Sequence, residues 1–267
     1  MNGRDDRLDT WLQALEHRQL ADLTFQEVSR SLRALSSTYV ERREKLKEGA
    51  ALSGAGKRAA FALFYGPLHF LLVREVVRTL GTPFTAIDTL VDLGCGTGAS
   101  GAGWAAACSH TPRIVGIDRH PWAIEEARRT FADLGLRATL RVDDITRVAL
   151  DGQPLRARAT RSASSRTATR HGILLAFAVN EIADATLRQA LLDRLLGHAA
   201  AGGHAIIVEP LAGFVAPWWS AWRDAIVAAG GRADEWRVRV ALPPIVEKLD
   251  RAAGLNHREL KARTLAF

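Results

Sequence analysis

Val91-Asp92-Leu93-Gly94-Cys95-Gly96-Thr97-Gly98 decides the reading of this 267-residue chain. Leu90, Val91 and Leu93 form an apolar run interrupted by the acid Asp92. Three glycines follow at alternate positions, and a run of small residues from Ala99 to Ala107 begins at once. That order predicts a strand, a tight turn and a helix N-terminus, a geometry that aims backbone N–H groups at a polar ligand. Glycine is needed because side chains would block close approach and because the turn calls for positive φ. A dinucleotide pattern, G-x-G-x-x-G/A, can be laid over Gly94, Gly96 and Ala99, but alone that match is weak. Asp92 weighs against it, since a carboxylate beside the turn repels a diphosphate and suits an ammonium group.

The chain around this turn reads as a parallel α/β sheet. From residue 81 on, apolar runs alternate with helical patterns. Strands are expected at Thr89–Leu93, Arg113–Asp118, Ala138–Val142, Ile173–Ala178, His204–Glu209, Trp236–Leu242 and Leu260–Phe267, the last two antiparallel. Helices are expected near Ser100–Cys108, Pro121–Leu134, Ala185–His198, Pro217–Ala229 and Pro244–Ala253. Residues 1–80 read as a helical N-terminal region and 81–267 as the core. Thr24 and Glu27 form a capping box with Leu23 and Val28 as its staple, and Phe25, Val28, Leu32 and Leu35 form a buried stripe. A long apolar helix from Lys57 to Leu80 kinks at Gly66–Pro67.

D-x-G-x-G-x-G after an apolar strand resembles the first motif of the class I S-adenosylmethionine (SAM) methyltransferases. The resemblance implies a doubly wound, seven-stranded, Rossmann-like sheet with SAM at the carboxyl ends of its strands. Gly94, Cys95, Gly96 and Gly98 would then hold the methionine part through their backbone, with Asp92 orienting its ammonium group. Asp118, which closes RIVGID, would accept both ribose hydroxyls beside Arg119; a helix cap is its alternative reading. Likeness to the third motif implies that Asp144 accepts from the adenine amino group and that Ile145 meets the ring. Asp143 rivals Asp144 one residue earlier, and two exposed loop acids are the plainer reading.

After the fourth strand, GILLAFAVNEIAD, the residues at the cofactor mouth are Phe177, Asn180 and Glu181. Asn180 could orient a polar atom of the substrate, and Glu181 could accept a proton or hold an amine. Capping of the next helix is the alternative for both. The (Asn/Asp)-Pro-Pro-aromatic signature of adenine and guanine amino methyltransferases is missing, which disfavours direct N-methylation through that motif. Displacement at a sulfonium methyl chiefly needs positioning, so no triad and no metal are expected.

Charge and composition bound the partners. The net charge is +7, with 31 arginines and five lysines, which favours nucleic acid, although arginines spread over a surface would give the same sum. Between Asp144 and Gly172 the stretch LRARATRSASSRTAT, residues 155–169, carries arginines without an apolar stripe, and a mobile basic loop at 151–171 is expected. Two cysteines, Cys95 and Cys108, cannot build a disulfide framework or a zinc site. With no apolar run of spanning length and no signal core, a cytoplasmic protein is expected.

The order of motifs carries a further likeness. An aromatic–proline element (Phe64, Tyr65, Gly66, Pro67) precedes VDLGCGTGASGAGWAAA with its Trp104-Ala105-Ala106, and FAVNEIAD and IIVEPLAGF follow. Over roughly residues 55–215 the chain resembles the mitochondrial small-ribosomal-subunit assembly methyltransferases and their bacterial relatives. That resemblance implies ribosomal RNA or a ribosomal particle as partner. The cysteine cluster common there, which binds iron–sulfur or another metal, is absent, so no metal role follows. A small-molecule methyltransferase is the alternative, with Tyr65, His69 and Trp218 lining the acceptor site. A SAM-binding assembly factor without chemistry is the third. Trp218, Trp219, Trp222 and Trp236 fit core or lid packing better than base stacking.

Overall fold

The computed structural model describes residues 5–41, 52–150, 170–211 and 216–267. Residues 151–169 of the expected basic loop at 151–171 lie outside the described residues.

Seven strands form one sheet in the order β3-β2-β1-β4-β5-β7-β6. They are β1 (Thr89–Leu93), β2 (Arg113–Asp118), β3 (Ala138–Val142), β4 (His171–Ala176), β5 (His204–Glu209), β6 (Arg232–Val238) and β7 (Leu260–Ala266). Strands β1 to β5 pair parallel, while β7 runs antiparallel to both β5 and β6. Only β7 therefore opposes the sheet direction. The doubly wound fold is the expected one, and three strands have other limits. Strand β4 runs His171–Ala176 in place of Ile173–Ala178, β6 runs Arg232–Val238 in place of Trp236–Leu242, and β7 stops at Ala266, one residue early.

Chain order reverses between β1 and β4, and the crevice at their carboxyl ends is where ligands bind in such sheets. Alternation along β1 makes this a two-faced wall. Leu90 enters the apolar cluster on one face, and Val91 and Leu93 enter that on the other.

The first face carries α1 (Asp5–Gln19), α2 (Phe25–Glu41), α3 (Ala55–Ala60), α4 (Gly66–Leu80), α5 (Ala99–Ala107), α6 (Pro121–Asp133) and α9 (Pro244–Ala252). Trp11, Leu15, Val28 and Leu32 share one cluster with Leu90, Ile114 and Leu174, so the N-terminal helices and this sheet face have a common core. The capping box forms: Thr24 N–H donates to Glu27 Oε2 at 2.8 Å, and Glu27 N–H to Thr24 Oγ1 at 3.3 Å. Arg18 docks α1 onto α6 through Glu126 (3.0 Å) and Asp133 (2.8 Å).

Helix α5 has small residues for a reason of space. A Cβ on Gly103 would stand 2.4 Å from the Phe70 carbonyl oxygen, so only glycine lets α4 lie this close. Between α3 and α4 runs a π-helical turn, Phe61–Tyr65, whose extra residue lets the chain pass Pro67 without a break; Gly66 N–H donates back to Phe61 O. Residues 55–80 are long and apolar enough to cross a membrane, contrary to the expectation, yet 72% of the relevant window is buried inside the fold.

The second face holds α7 (Ala185–Ala200) and α8 (Trp219–Ala228). Trp218, Trp219 and Trp222 are buried there with Leu191, Leu195 and Ile226. These tryptophans pack a core and do not present stacking platforms.

Candidate functional site

The glycine turn adopts positive φ at all three glycines: 76° at Gly94, 52° at Gly96 and 78° at Gly98. Two of these positions are also closed sterically. A Cβ on Gly94 would lie 2.6 Å from the Ala178 Cβ, and one on Gly98 would lie 2.9 Å from the Phe131 ring. The first contact presses the segment after β4 directly onto the turn.

Use of the turn's N–H groups differs from the expectation. Gly94 and Cys95 both donate to the Ile117 carbonyl, at 2.8 and 3.0 Å. Gly96 donates to Asp118 Oδ2 at 2.9 Å, and Gly98 to Cys95 O at 2.8 Å. Four of the five amides from Gly94 to Gly98 are thus consumed inside the fold. A diphosphate cradle needs those donors free, so the turn offers a ligand its close backbone and carbonyl oxygens instead. That suits an ammonium group and removes the dinucleotide reading.

Asp92 is fully buried beneath the first turn of α5, where a Cβ on Gly101 would fall 2.4 Å from its Oδ2. Neither carboxylate oxygen accepts a well-formed hydrogen bond, although the Gly101 N–H is close enough to pull on it. Burial, and then the charge of Asp118, push its pKa up to about 7, against a smaller opposing pull from the Gly101 N–H. The sequence places this acid beside the ligand; in the structure it acts from behind the turn and has no exposed oxygen.

Asp118 ends β2 and ties the turn to the next helix. Its Oδ1 accepts from His120 N–H at 2.8 Å, while Oδ2 takes the Gly96 N–H. It is not the cap of α6, since that place belongs to His120, whose Nδ1 accepts from Trp122 N–H at 3.2 Å. A carboxylate has about four acceptor positions, so two remain for a ribose diol.

After β3 the two acids separate. Asp144 Oδ1 closes a local turn by accepting from the N–H and hydroxyl of Thr146, at 2.9 and 2.7 Å, and Arg147 lies 3.8 Å from its Oδ2. Asp143 is the more enclosed acid, and it accepts only from Asp144 N–H, through Oδ1 at 2.8 Å. Ile145 is half-buried and packs against the core on the α7 face.

The mouth after β4 forms a short 3-10 turn, Val179–Glu181. Asn180 and Glu181 do not cap α7, because Asp184 does so by accepting from Thr186 and Leu187. Glu181 pairs with Arg119 at 3.0 Å, each side chain more than half exposed. Crowding of that mouth, and Asp118 nearby, raise the Glu181 pKa against the opposing pull of Arg119. Asn180 donates through Nδ2 to Glu209 Oε2 at 2.5 Å and accepts on Oδ1 from Trp218 Nε1–H at 2.9 Å. Trp218 is 7% exposed and meets the mouth through its bond to Asn180.

An aromatic wall faces the turn. The Phe177 ring stacks on His69 with centroids 4.1 Å apart, and Phe177 holds a left-handed φ of 61°. Such a conformation costs roughly 1–2 kcal/mol for a non-glycine residue. Enclosure lowers the His69 pKa to about 4, so its ring is neutral. Tyr65 lies 6.1 Å from His69, hydrogen-bonded to Ser36, and burial raises its pKa to about 12. Phe61 completes the wall 5.9 Å from Tyr65, and its Cε1 is the atom nearest a Cβ placed on Gly96, at 4.0 Å. Phe61 falls within the expected apolar helix Lys57–Leu80, which gave it no place in the site. Its spacing of four from Tyr65 and eight from His69 was the available signal.

The turn, Asp118, Arg119, Phe177, Asn180, Glu181, Tyr65 and His69 therefore gather at the switch point; Trp218 reaches it through Asn180, Asp144 closes its own turn with Thr146, and Ile145 packs toward α7. Among the described residues no group of three or more His, Cys, Asp or Glu is placed to hold a metal ion.

The model of a methyltransferase-domain family matches residues 90–190. No curated protein matches the chain. Among solved structures, the precorrin 8w decarboxylase of Methanobacterium thermoautotrophicum is 18% identical, with a TM-score of 0.46 over 73% of this chain and 89% of that one. N-methyltransferase NodS of Bradyrhizobium japonicum, in complex with S-adenosyl-l-homocysteine, is 16% identical, with a TM-score of 0.44 over 74% and 84%. The mitomycin 7-O-methyltransferase MmcR is 14% identical, with a TM-score of 0.47 over 100% and 75%. The family match spans the glycine turn, Asp118 and Asn180 together. The likeness is thus to a methyltransferase domain over residues 90–190, carried on a sheet of order β3-β2-β1-β4-β5-β7-β6.

Proposed function

We propose that the chain methylates RNA, with ribosomal RNA as the substrate class, in the cytoplasm. The supporting observation is a basic cleft of about 600 Å3 lined by Arg239, Asn256, Arg258, Glu259 and Lys261. Val238 ends β6 opposite Leu260 at the start of β7, which puts this cleft at the carboxyl end of the sheet, as is the glycine turn. Strand β6 is three places from β4, about 14 Å at the usual strand spacing. A polyanion could lie in the cleft while one of its bases reaches the mouth at Asn180. The net charge of +7 and the likeness to ribosomal assembly methyltransferases agree with this reading. A base swung out of its strand would meet the wall of Phe61, Tyr65, His69 and Phe177.

In this reading Asp118 holds the ribose of the donor, and Asp143, not Asp144, receives the adenine amino group. Glu181 takes the proton that the acceptor sheds.

The enclosed aromatic wall also favours a second reading, a flat small-molecule acceptor. Incubation with SAM labelled in its methyl group, against total RNA and against a metabolite extract, tests both. Label is expected in RNA of ribosomal size. Label confined to the metabolite extract overturns the RNA assignment, and label in neither overturns the catalytic reading.

A further inference from the structure

We propose that Glu209 is a positioning residue for the methyl acceptor, acting through Asn180; the inference rests on the methyl-transfer reading of the mouth after β4. Glu209 ends β5 as a fully buried carboxylate, and the register sets it opposite Arg263 of β7. The Arg263 guanidinium lies 4.1 Å over the Trp219 ring. The neighbouring Trp218 donates to Asn180, and Asn180 donates back to Glu209. Residues of β5, β7, α8 and the 3-10 turn after β4 thus close a ring around one amide.

The chemistry of the partners settles which way that amide faces. An indole N–H can only donate and a carboxylate can only accept. Asn180 therefore holds its oxygen toward Trp218 and its nitrogen toward Glu209, and a flipped amide would break both bonds. One lone pair on Oδ1 and one N–H on Nδ2 remain for a ligand. Negative charge at Glu209 draws the amide dipole so that Oδ1 becomes the richer acceptor.

The position of the amide matters because Ala178, two residues earlier, touches the glycine turn, and Glu181, one residue later, touches Arg119. The acceptor class is then a group bearing N–H or O–H, whose hydrogen Asn180 Oδ1 receives so that the lone pair faces the methyl carbon. That lone pair forms the new bond as the carbon–sulfur bond breaks. Sulfur keeps the electron pair; an amine acceptor sheds its second hydrogen as a proton to Glu181 and on to water, and a hydroxyl acceptor loses its single proton from the Asn180 hydrogen bond to water.

The test compares wild type, Glu209→Gln and Trp218→Phe on whichever acceptor fraction, RNA or metabolite extract, takes the label. Calorimetry with SAM first counts competent sites. Glu209→Gln keeps an acceptor for Asn180 and removes the charge, so SAM affinity is expected within twofold of wild type. Its kcat per competent site is expected to fall about 10- to 100-fold with KM nearly unchanged, and Trp218→Phe by less. In the 1H–15N spectrum Glu209→Gln should shift the Trp218 indole resonance and leave those of Trp11, Trp104 and Trp122 in place. A Glu209→Gln enzyme with wild-type kcat, or a Trp218 resonance that does not move, overturns the proposal. Loss of SAM binding in the wild type would instead sink the donor assignment on which it rests.

Discussion

The turn after β1 and the mouth after β4 sit side by side, yet they are built on opposite principles. The turn is made of backbone: positive φ at three glycines, and amides spent on Ile117, Asp118 and Cys95. Every residue that shapes it lies within the stretch from Leu93 to Asp118 or presses on that stretch. The mouth is made of side chains borrowed from afar. Asn180 finds its partners 29 and 38 residues away, Glu181 meets Arg119 across 62 positions, and Phe177 stacks on His69 of α4. In the proposed reading donor binding is thus written locally, and acceptor positioning depends on the assembled fold. Such a division would let one cofactor turn serve many acceptors.

The turn should break first and hardest. Gly94→Ala must place a Cβ 2.6 Å from that of Ala178 at a φ of 76°. The expected cost is about 3 kcal/mol of stability, read by urea unfolding, together with loss of measurable SAM binding. Unchanged affinity in this variant would show that the ligand does not approach the turn. Asp118→Ala is expected to act next. It removes the acceptor for two backbone N–H groups and for the ribose diol, so SAM affinity should fall about 100-fold. Calorimetry checks this, and a loss under threefold would remove the ribose assignment.

Legibility in the sequence follows the same division. Strands β1, β2, β3 and β5 carry their expected limits because each is a run bounded sharply by glycine or charge. Strand β6 was placed late because Trp236, Val238, Val240 and Leu242 alternate clearly, while Arg232–Glu235 looks like a charged loop. Its pairing with β7 begins at Arg232, held by backbone bonds that an edge strand can form whatever its side chains. The strand, turn and helix around the three glycines are readable from spacing, and the end of β2 at Asp118 from the apolar run before it. Asp144 was preferred over Asp143 by motif likeness, and only the local turn with Thr146 shows that Asp144 is committed elsewhere. Nothing near Asn180 in sequence announces Glu209 or Trp218, and the π turn that aims Phe61 has no clear sequence signature.

Asp92 gives a smaller effect with a distinct pH signature. Its pKa of about 7 lies above the ordinary carboxyl value of 3.8. The folded protein therefore keeps this proton between about pH 4 and 7, where the unfolded chain has lost it. Its contribution to stability falls as pH rises through that window and is level above it. Asp92→Asn should remove this slope and stabilise the ligand-free protein at pH 8. The rise from 3.8 to about 7 is worth at most about 4 kcal/mol, and burying an unpaired amide returns part of that. A net gain of about 1–2 kcal/mol is expected by thermal unfolding. SAM affinity in the wild type should strengthen as pH rises through 7, because the ammonium group favours the ionised acid, and this dependence should vanish in the variant. A variant less stable than wild type at pH 8 would show that a partner for Asp92 had been missed.

Glu181 sharpens the comparison most finely, because stability and turnover should separate there. Its pair with Arg119 is more than half exposed on both sides, and such pairs contribute less than about 1 kcal/mol. Glu181→Gln should therefore unfold within about 0.5 kcal/mol of wild type and bind SAM normally. Its carboxyl titrates above the ordinary value of 4.5 because neighbours crowd it and Asp118 repels its charge, with Arg119 opposing both. If Glu181 receives the acceptor's proton, wild-type kcat falls on the acid side with an apparent pKa above 4.5, and Glu181→Gln loses that limb of the profile. An unchanged limb would reduce Glu181 to the partner of Arg119 and leave the proton to solvent. The mouth would then act on its substrate through Asn180 alone, by geometry without acid–base chemistry, which is all that displacement at a sulfonium methyl strictly demands.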